Sequence, residues 1–431
     1  MNSSRSVTTA GIFVGLVSLH YGMGFILGTG EQTYLYGPSG AVYALAAGFG
    51  LLALSLFAGF YWREQEPIWD LLGNRYGETV RHLTNFLSWI WMIGVMAGQM
   101  VGAGYALSVL GIPANYAIVL MAILIAILGP KPLEDSAWIF GTLLVISTIA
   151  LLVGLGQLGG ISTYITSAGA FIPSIFSNSP LRMLGIATTT ILLTLIGMDF
   201  QQVLVRGQSE ASAVRGSLLA GLALIPIAFL PTGVVLGALQ KNIIAAQTIN
   251  GKDAIPLIIS AIGDKILPGG GLILVIGLML VAINSGSGLN RALIRSFQSA
   301  PFMPKFYKKL NVAAWINAGI ALGVALMGLT IVGLMVSFYA IYVAGAFIPF
   351  MAYLIEHRYG LRFSPAAIYR SALAGSGIAT LIFTASLIGR ATKSPAFVWL
   401  VDIPEFWMIF IGITVAVVML GKPGKEMQHG Q

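Results

Sequence analysis

Apolar stretches of about 20 residues separated by short polar breaks run through this chain from Ala10 to Leu420. Each stretch has the length an α-helix needs to cross about 30 Å of hydrocarbon. The pattern predicts about twelve spans: Ala10 to Tyr36, Ala41 to Trp62, Leu83 to Leu110, Tyr116 to Leu128, a fifth that begins after LEDSAW and ends near Leu158, a sixth from Leu181, then Gly216 to Leu239, Leu272 to Phe297, Val312 to Leu334, Met335 to Ile355, Ile368 to Ile388 and Phe406 to Leu420. These are spans 1 to 12 below. Between spans 2 and 3, REQEPIWDLLGNRYGETVRH carries Ile68, Leu71 and Leu72 at helical spacing, which predicts a short amphipathic helix at the membrane interface. A second short helix is expected from Ala254 to Ile262, outside span 7, whereas GGISTYITSAGAFIPSIFSNSP reads as a loop.

Two spans depart from the apolar pattern. Span 1 contains GMGFILGTGEQTYLYGPSG, where Gly22, Gly24, Gly28 and Gly30 each weaken a helix by about 1 kcal/mol and Glu31 and Gln32 follow at bilayer depth. Span 6 reaches LTLIGMDFQQVLVRG, in which Gly197 precedes Asp199, Gln201 and Gln202. A glycine, then an acid, then amides is the shared order. Interrupted helices at corresponding places in two halves point to an inverted-repeat transporter with its site between them. The expected halves are 1–159 and 160–357, with 358–431 supplying two peripheral helices and a short tail.

Composition closes off other classes. At 57% hydrophobic and 9% charged residues, with a mean hydropathy of +0.88, the chain cannot be a string of soluble domains. Its net charge of +8 reports orientation before any acidic partner, because basic residues collect in cytoplasmic loops. With the N-terminus inside, only Arg182, Lys241, Lys252, Lys265, Arg390 and Lys393 fall outside, and the other 17 of 23 Lys and Arg lie inside. Both termini are therefore expected in the cytoplasm, with the chain in the cytoplasmic (inner) membrane. The absence of cysteine removes disulfides and thiolate chemistry, and four scattered His do not suggest a zinc site. No cleavable signal peptide is expected from MNSSRSVTTA. No catalytic triad or phosphate-binding loop is present, so neither an enzyme nor a nucleic-acid partner is expected.

The intramembrane polar residues are then the candidates. Gln32, Gln201, Gln202 and Gln99 can each donate and accept hydrogen bonds to a solute, although a lone amide such as Gln99 is more often glue between helices than a solute contact. Glu31 and Asp199 are costly to bury and mark possible ion or proton pathways. Alternatively, Glu31 pairs with backbone N–H groups freed by the break, and Asp199 with Arg206. In span 8, VAINSGSGLNRALIRSF places Ala282 and Ser285 about one turn apart. Carbonyls of Phe25 and Gly28 would face them if span 1 unwinds between Gly24 and Gly30. The competing reading is that these small residues only permit close packing. His20 reads as a packed hydrogen-bonding group, and Tyr34, Tyr36, Phe200, Tyr339 and Tyr342 as gates or as core.

GTGEQTYLYGPSG, EPIWDLLGNRYG, AGQMVGAGYALSVLG, DFQQVLVRG, LMLVAINSGSGLN and SFYAIYVAGAFIPFMAYLIEHRYG, in this order, resemble the landmarks of the sodium:solute symporter family over nearly the whole chain. Glu31 and Gln32 are most similar to its sodium/sugar branch. The resemblance implies a LeuT-type fold, in which spans 1 to 5 and 6 to 10 are inverted repeats followed by two more helices, and alternating access. It implies a sodium site at Phe25, Gly28, Ala282, Ser285 and Gly286, with solute contacts at Gln32 and Gln201. Three departures stand out. Gly286 lacks the family's hydroxyl, the span 5 acid is replaced in Trp138, Ile139, Phe140, and the further sugar contacts fall on Leu51 and Leu54. A less hydroxylated solute than a hexose is expected. The function implied is sodium-coupled symport of a small organic solute, with no cofactor besides the coupling ion. The alternatives are a proton-coupled or ion-independent transporter of the same fold, and a membrane solute sensor.

Overall fold

Thr8 starts span 1, its hydroxyl accepting the Gly11 N–H at 3.2 Å, and the helix runs from Thr9–His20 before the backbone leaves helical geometry at Tyr21. The computed structural model describes residues 6–131, 137–245, 249–297 and 303–423. MNSSR at the start, LEDS before span 5 and GKEMQHGQ at the end lie outside the described residues. After the break, one π turn, Gly24–Gly28, leads into a regular helix, Thr29–Tyr36. Wide π turns recur where helices are interrupted for function.

The expectation that span 1 unwinds between Gly24 and Gly30 is corrected here: the break lies earlier, at Tyr21 and Gly22, and Gly30 is helical. These glycines serve close approach. A Cβ at Gly24 would meet Met335 Sδ at 2.7 Å, and one at Gly28 would meet Val332 Cγ2 at 2.8 Å. Gly30 admits Ile255 in the same way.

The described helices arrange as twelve spans, all α, together with short helices at both faces. Span 2 is Val42–Glu64, span 3 Glu78–Ser108, span 4 Ala114–Leu128 and span 5 Ala137–Gln157. Span 6 is Pro180–Ile196 and Met198–Leu204, and span 7 is Glu210–Ile227 with Phe229–Gln240. Spans 8 to 12 are Gly270–Phe297, Leu310–Ala325, Ile331–Tyr359, Pro365–Thr392 and Pro404–Leu420.

The sequence boundary between spans 9 and 10 shifts. The apolar run is unbroken from Ala318 to Val336 except at Gly and Thr, so hydropathy alone does not divide it. Gly328 turns the chain at φ +73°, and Thr330 then caps span 10 by accepting the Gly333 N–H at 3.0 Å. The expected amphipathic helix is Ile68–Tyr76, and the outer one is Ala254–Ile266. The segment after span 5 is not a loop. It forms two helices, Gly160–Gly169 and Phe171–Asn178, bent by 97° from span 5 and 117° from span 6.

Two packing groups organise the spans. Spans 1, 2, 6 and 7 pack on one another, and spans 3, 4, 8 and 9 form a second group. Polar side chains tie the second group: Asn290 donates to Ala314 O at 3.1 Å, Asn317 to Asn290 Oδ1 at 3.1 Å, and Tyr307 to Asn317 Oδ1 at 2.9 Å. Span 10 lies between the groups. Its Met335 and Phe338 fill the face left by Gly98 and Gly94 of span 3, so the small-residue stripe does bring helices close.

Candidate functional site

The break in span 6 falls at Gly197, in an extended conformation at φ −69° and ψ 127°. Interrupting a helix leaves backbone groups without partners, and at bilayer depth these must be paired within the protein. Tyr342 donates to Ile196 O at 2.8 Å, Gln201 Nε2 to the same oxygen at 3.2 Å, and Tyr61 to Leu195 O at 2.6 Å. Both tyrosines are almost fully buried. Tyr342→Phe is expected to lower stability by about 1–3 kcal/mol, seen as a reduced melting temperature. Tyr342 thus braces the break in span 6 in this conformation.

The two breaks adjoin. His20, just before the break in span 1, stacks on Phe200, just after the break in span 6, with ring centroids 4.6 Å apart. Its Nε2 also lies 3.4 Å from Thr194 Oγ1. Gln99 of span 3 reaches the same place: a Cβ at Gly22 would sit 3.7 Å from its Nε2.

Spans 1, 3 and 6 carry buried polar atoms that find no hydrogen-bond partner among the described residues. Both amide atoms of Gln32 are among them, with Thr29 Oγ1, Gln99 Oε1, Gln201 Oε1 and the hydroxyls of Thr189 and Thr190. Gln32, Thr29 and Thr189 are 0% exposed. Leaving a buried polar group unpaired costs about 1–3 kcal/mol, so each such group asks for an explanation beyond packing. Gln202 is different. It is exposed while its neighbour Gln201 is buried, as expected for adjacent residues about 100° apart around a helix.

The residues of the expected ion site lie on the π turn of span 1 and on span 8. Phe25 is buried in the π turn and Gly28 closes it, and this turn packs chiefly on span 10, span 3 and the outer helix. Ala282 and Gly286 are buried in span 8 and Ser285 is half-buried; span 8 packs on spans 3, 4, 5 and 9 and the outer helix. A Cβ at Gly286 would run into Ile125 of span 4, so that position faces the scaffold. Ser287 is 0% exposed and its hydroxyl lacks a partner among the described residues, but it lies about 140° around the helix from Ala282. The side chains of Trp138, Ile139 and Phe140 lie outside what is described.

Glu31 has a specific job. Its Oε2 accepts the Ile331 N–H at 2.6 Å, so a carboxylate of span 1 caps the N-terminus of span 10, where the helix dipole favours negative charge. The backbone N–H it pairs with belongs to another helix rather than to its own break. Asp199 accepts the N–H of Phe200 at 2.9 Å instead of pairing with Arg206.

At the end of the bundle that holds the Ala254–Ile266 helix, several side chains make contacts. Tyr34 donates to Ala245 O at 2.8 Å, and Ser108 to Asp253 Oδ1 at 2.9 Å. Burial pushes the Asp253 carboxyl above the usual carboxylate range. Lys252 Nζ sits 4.9 Å above the Tyr105 ring. Arg182 covers the Tyr36 ring and pairs with the buried Glu405 at 3.5 Å. At the other end Val7 joins the segment after span 6, its N–H donating to Arg206 O at 3.1 Å and its O accepting from Gln208 N–H at 3.0 Å.

Sequence reasoning missed Thr29, Thr189, Thr190, Tyr61 and the Arg182–Glu405 pair. The run Thr188, Thr189, Thr190 within an apolar span was an available signal.

No family model matches the chain, and no curated protein does. Solved structures share its fold. A Na+-coupled sialic acid symporter, in a substrate-bound outward-open state, is similar over 99% of this chain and 94% of that one, with a TM-score of 0.64 at 16% identity. The manganese transporter of Eremococcus coleocola covers 96% of this chain, itself covered over 94%, with a TM-score of 0.55 at 14% identity. Mhp1 in its inward-facing conformation gives 0.54 at 12% identity, over 96% of this chain and 90% of that one. At these identities the likeness is one of fold. The chain has the LeuT-type architecture, a 5+5 inverted repeat with two further C-terminal helices.

Proposed function

We propose that this chain is a secondary active transporter that takes up a small organic solute by alternating access, coupled to sodium. The observation that carries the reading is Gln32: a side chain at 0% exposure, in the helix that follows the break of span 1, with both amide atoms unpaired among the described residues. A packing residue has no reason to hold that position. The orphaned acceptors of Gln32, Gln99 and Gln201 favour a solute bearing N–H or O–H donors. The orphaned hydroxyls of Thr29, Thr189 and Thr190 can answer in either sense.

Sodium coupling rests on the order of the sequence landmarks, and the similar symporter is described as Na+-coupled. Carbonyls of Phe25, Gly28 and Ala282 with the Ser285 hydroxyl would hold the ion between spans 1 and 8. Binding there would draw the two packing groups together and favour an outward-open state. The proposed setting is the cytoplasmic membrane, with both termini inside.

Two measurements test this. In a thermal-shift screen of small solutes on the purified chain, any binder of the folded state raises the melting temperature, and the shift should be larger in sodium than in potassium. Equal shifts in both salts would favour proton-coupled or ion-independent transport. Ser285→Ala should reduce sodium-dependent uptake and weaken the sodium dependence of the shift. Wild-type uptake with unchanged sodium affinity would remove Ser285 from the site.

A further inference from the structure

The acids buried in or beside the spans are matched by cations, with one exception. Glu405 pairs with Arg182 at 3.5 Å and Glu356 with Arg75 at 2.7 Å, and the charges of Lys252 and Arg182 both act on Glu31. Asp199 has no such counterpart. Its Oδ1 accepts the Phe200 N–H at 2.9 Å, and among the described residues no side chain donates to it and no Lys, Arg or His acts on it. A carboxylate held at bilayer depth without a cation is costly, and it marks a place where charge arrives from elsewhere.

The carboxylate lies against the break in span 6. A Cβ at Gly197 would sit 2.9 Å from Asp199 Oδ1 and 2.8 Å from Phe200 Cδ2, so carboxylate and ring share the space that the glycine leaves open. The charge of Asp199 also acts on the phenols of Tyr43, Tyr339 and Tyr342. The Tyr43 and Tyr339 hydroxyls lie 3.5 Å apart, and a Cβ at Gly24, just past the break in span 1, would sit 3.5 Å from the Tyr43 hydroxyl. All three tyrosines are buried, while Asp199 keeps accessible surface. Gln202, about one turn further along the same helix face, is exposed. That polar pair suits a water-lined face rather than lipid.

The occupant this place suits is an organic cation rather than a bare ion. The carbonyls freed by the break are already engaged, Ile196 O by Tyr342 and Gln201, and Leu195 O by Tyr61, so they do not form the oxygen cage that a small hard ion needs. One carboxylate among aromatic rings instead matches an ammonium group, which pairs with the acid and is attracted to ring faces. We propose that Asp199 is the counter-charge for a cationic organic solute, an ammonium held between its carboxylate and the aromatic side chains Phe200, Tyr43 and Tyr339. That the cation bound here is the one carried rests on the transporter reading above; the binding itself does not.

Thermal-shift titration of the purified full chain with matched probes tests it: benzylammonium against benzyl alcohol, and n-butylammonium against n-butanol, at constant ionic strength. The ammonium member of a pair should raise the melting temperature, and its uncharged isostere should not at the same concentration. Asp199→Asn keeps an oxygen for the Phe200 N–H and should weaken ammonium binding about 10- to 100-fold, the worth of a charge-assisted hydrogen bond. Asp199→Glu should restore the preference for the ammonium. The probe pairs on wild type decide that preference even where a variant is unstable. Equal shifts for charged and uncharged probes, equal ammonium binding by wild type and Asp199→Asn, or no shift with either ammonium overturns the inference. Accumulation in proteoliposomes scores the transporter reading separately. An uncharged solute accumulated alike by wild type and Asp199→Asn leaves that reading standing and overturns this one, whereas ammonium binding lost in Asp199→Asn, without accumulation, supports this site and removes transport.

Discussion

Gln32→Met should cut solute uptake by roughly 10- to 100-fold while leaving the melting temperature unchanged or raised. The size follows from losing one or two hydrogen bonds to a bound solute, each worth about 1–1.5 kcal/mol. The sign on stability follows from burial: both amide atoms lack partners among the described residues at 0% exposure. Replacing them with an apolar side chain of similar volume removes an unpaid desolvation. A structural glutamine would behave in the opposite way, with stability falling and uptake following it. Melting temperature and uptake measured on the same preparation separate the two.

The second large effect is expected at Glu31. Glu31→Leu leaves the Ile331 N–H without its acceptor, at a cost of about 1–3 kcal/mol, and loosens the start of span 10. Because span 10 sits between the two packing groups, uptake should collapse along with the melting temperature. Glu31→Gln keeps a carbonyl oxygen in the same place and should preserve both. Uptake abolished in Glu31→Gln at an unchanged melting temperature would instead make Glu31 a proton carrier, and would favour proton coupling.

How far the sequence could be read depends on what each residue responds to. The interruption at Gly197 was legible because a lone glycine between apolar helix and polar turn has few other uses, and the break sits at that residue. Four glycines in span 1 look alike as weak helix formers, so the sequence does not say at which of them the helix breaks. Three of them instead admit Met335, Val332 and Ile255, neighbours that lie far away in sequence. The fourth, Gly22, sits at the break beside Tyr21. Likewise Glu31 was visible as a buried acid, but its partner, the Ile331 N–H, lies 300 positions away, and backbone groups leave no trace in side-chain patterns. Gln201 and Gln202 look identical in sequence, and only helical phase buries one and exposes the other. Spans 9 and 10 ran together because Gly328 and Thr330 punctuate an apolar run without charge.

The central claim is that a sodium gradient drives a solute through a site that includes Gln32. Its most direct test is accumulation of the solute found by thermal shift in proteoliposomes carrying the purified chain, with an inward sodium gradient compared against an equal potassium gradient. The account predicts transient accumulation above equilibrium in sodium alone, abolished by Gln32→Met. Equal uptake under both gradients, or binding with no accumulation under either, would contradict it.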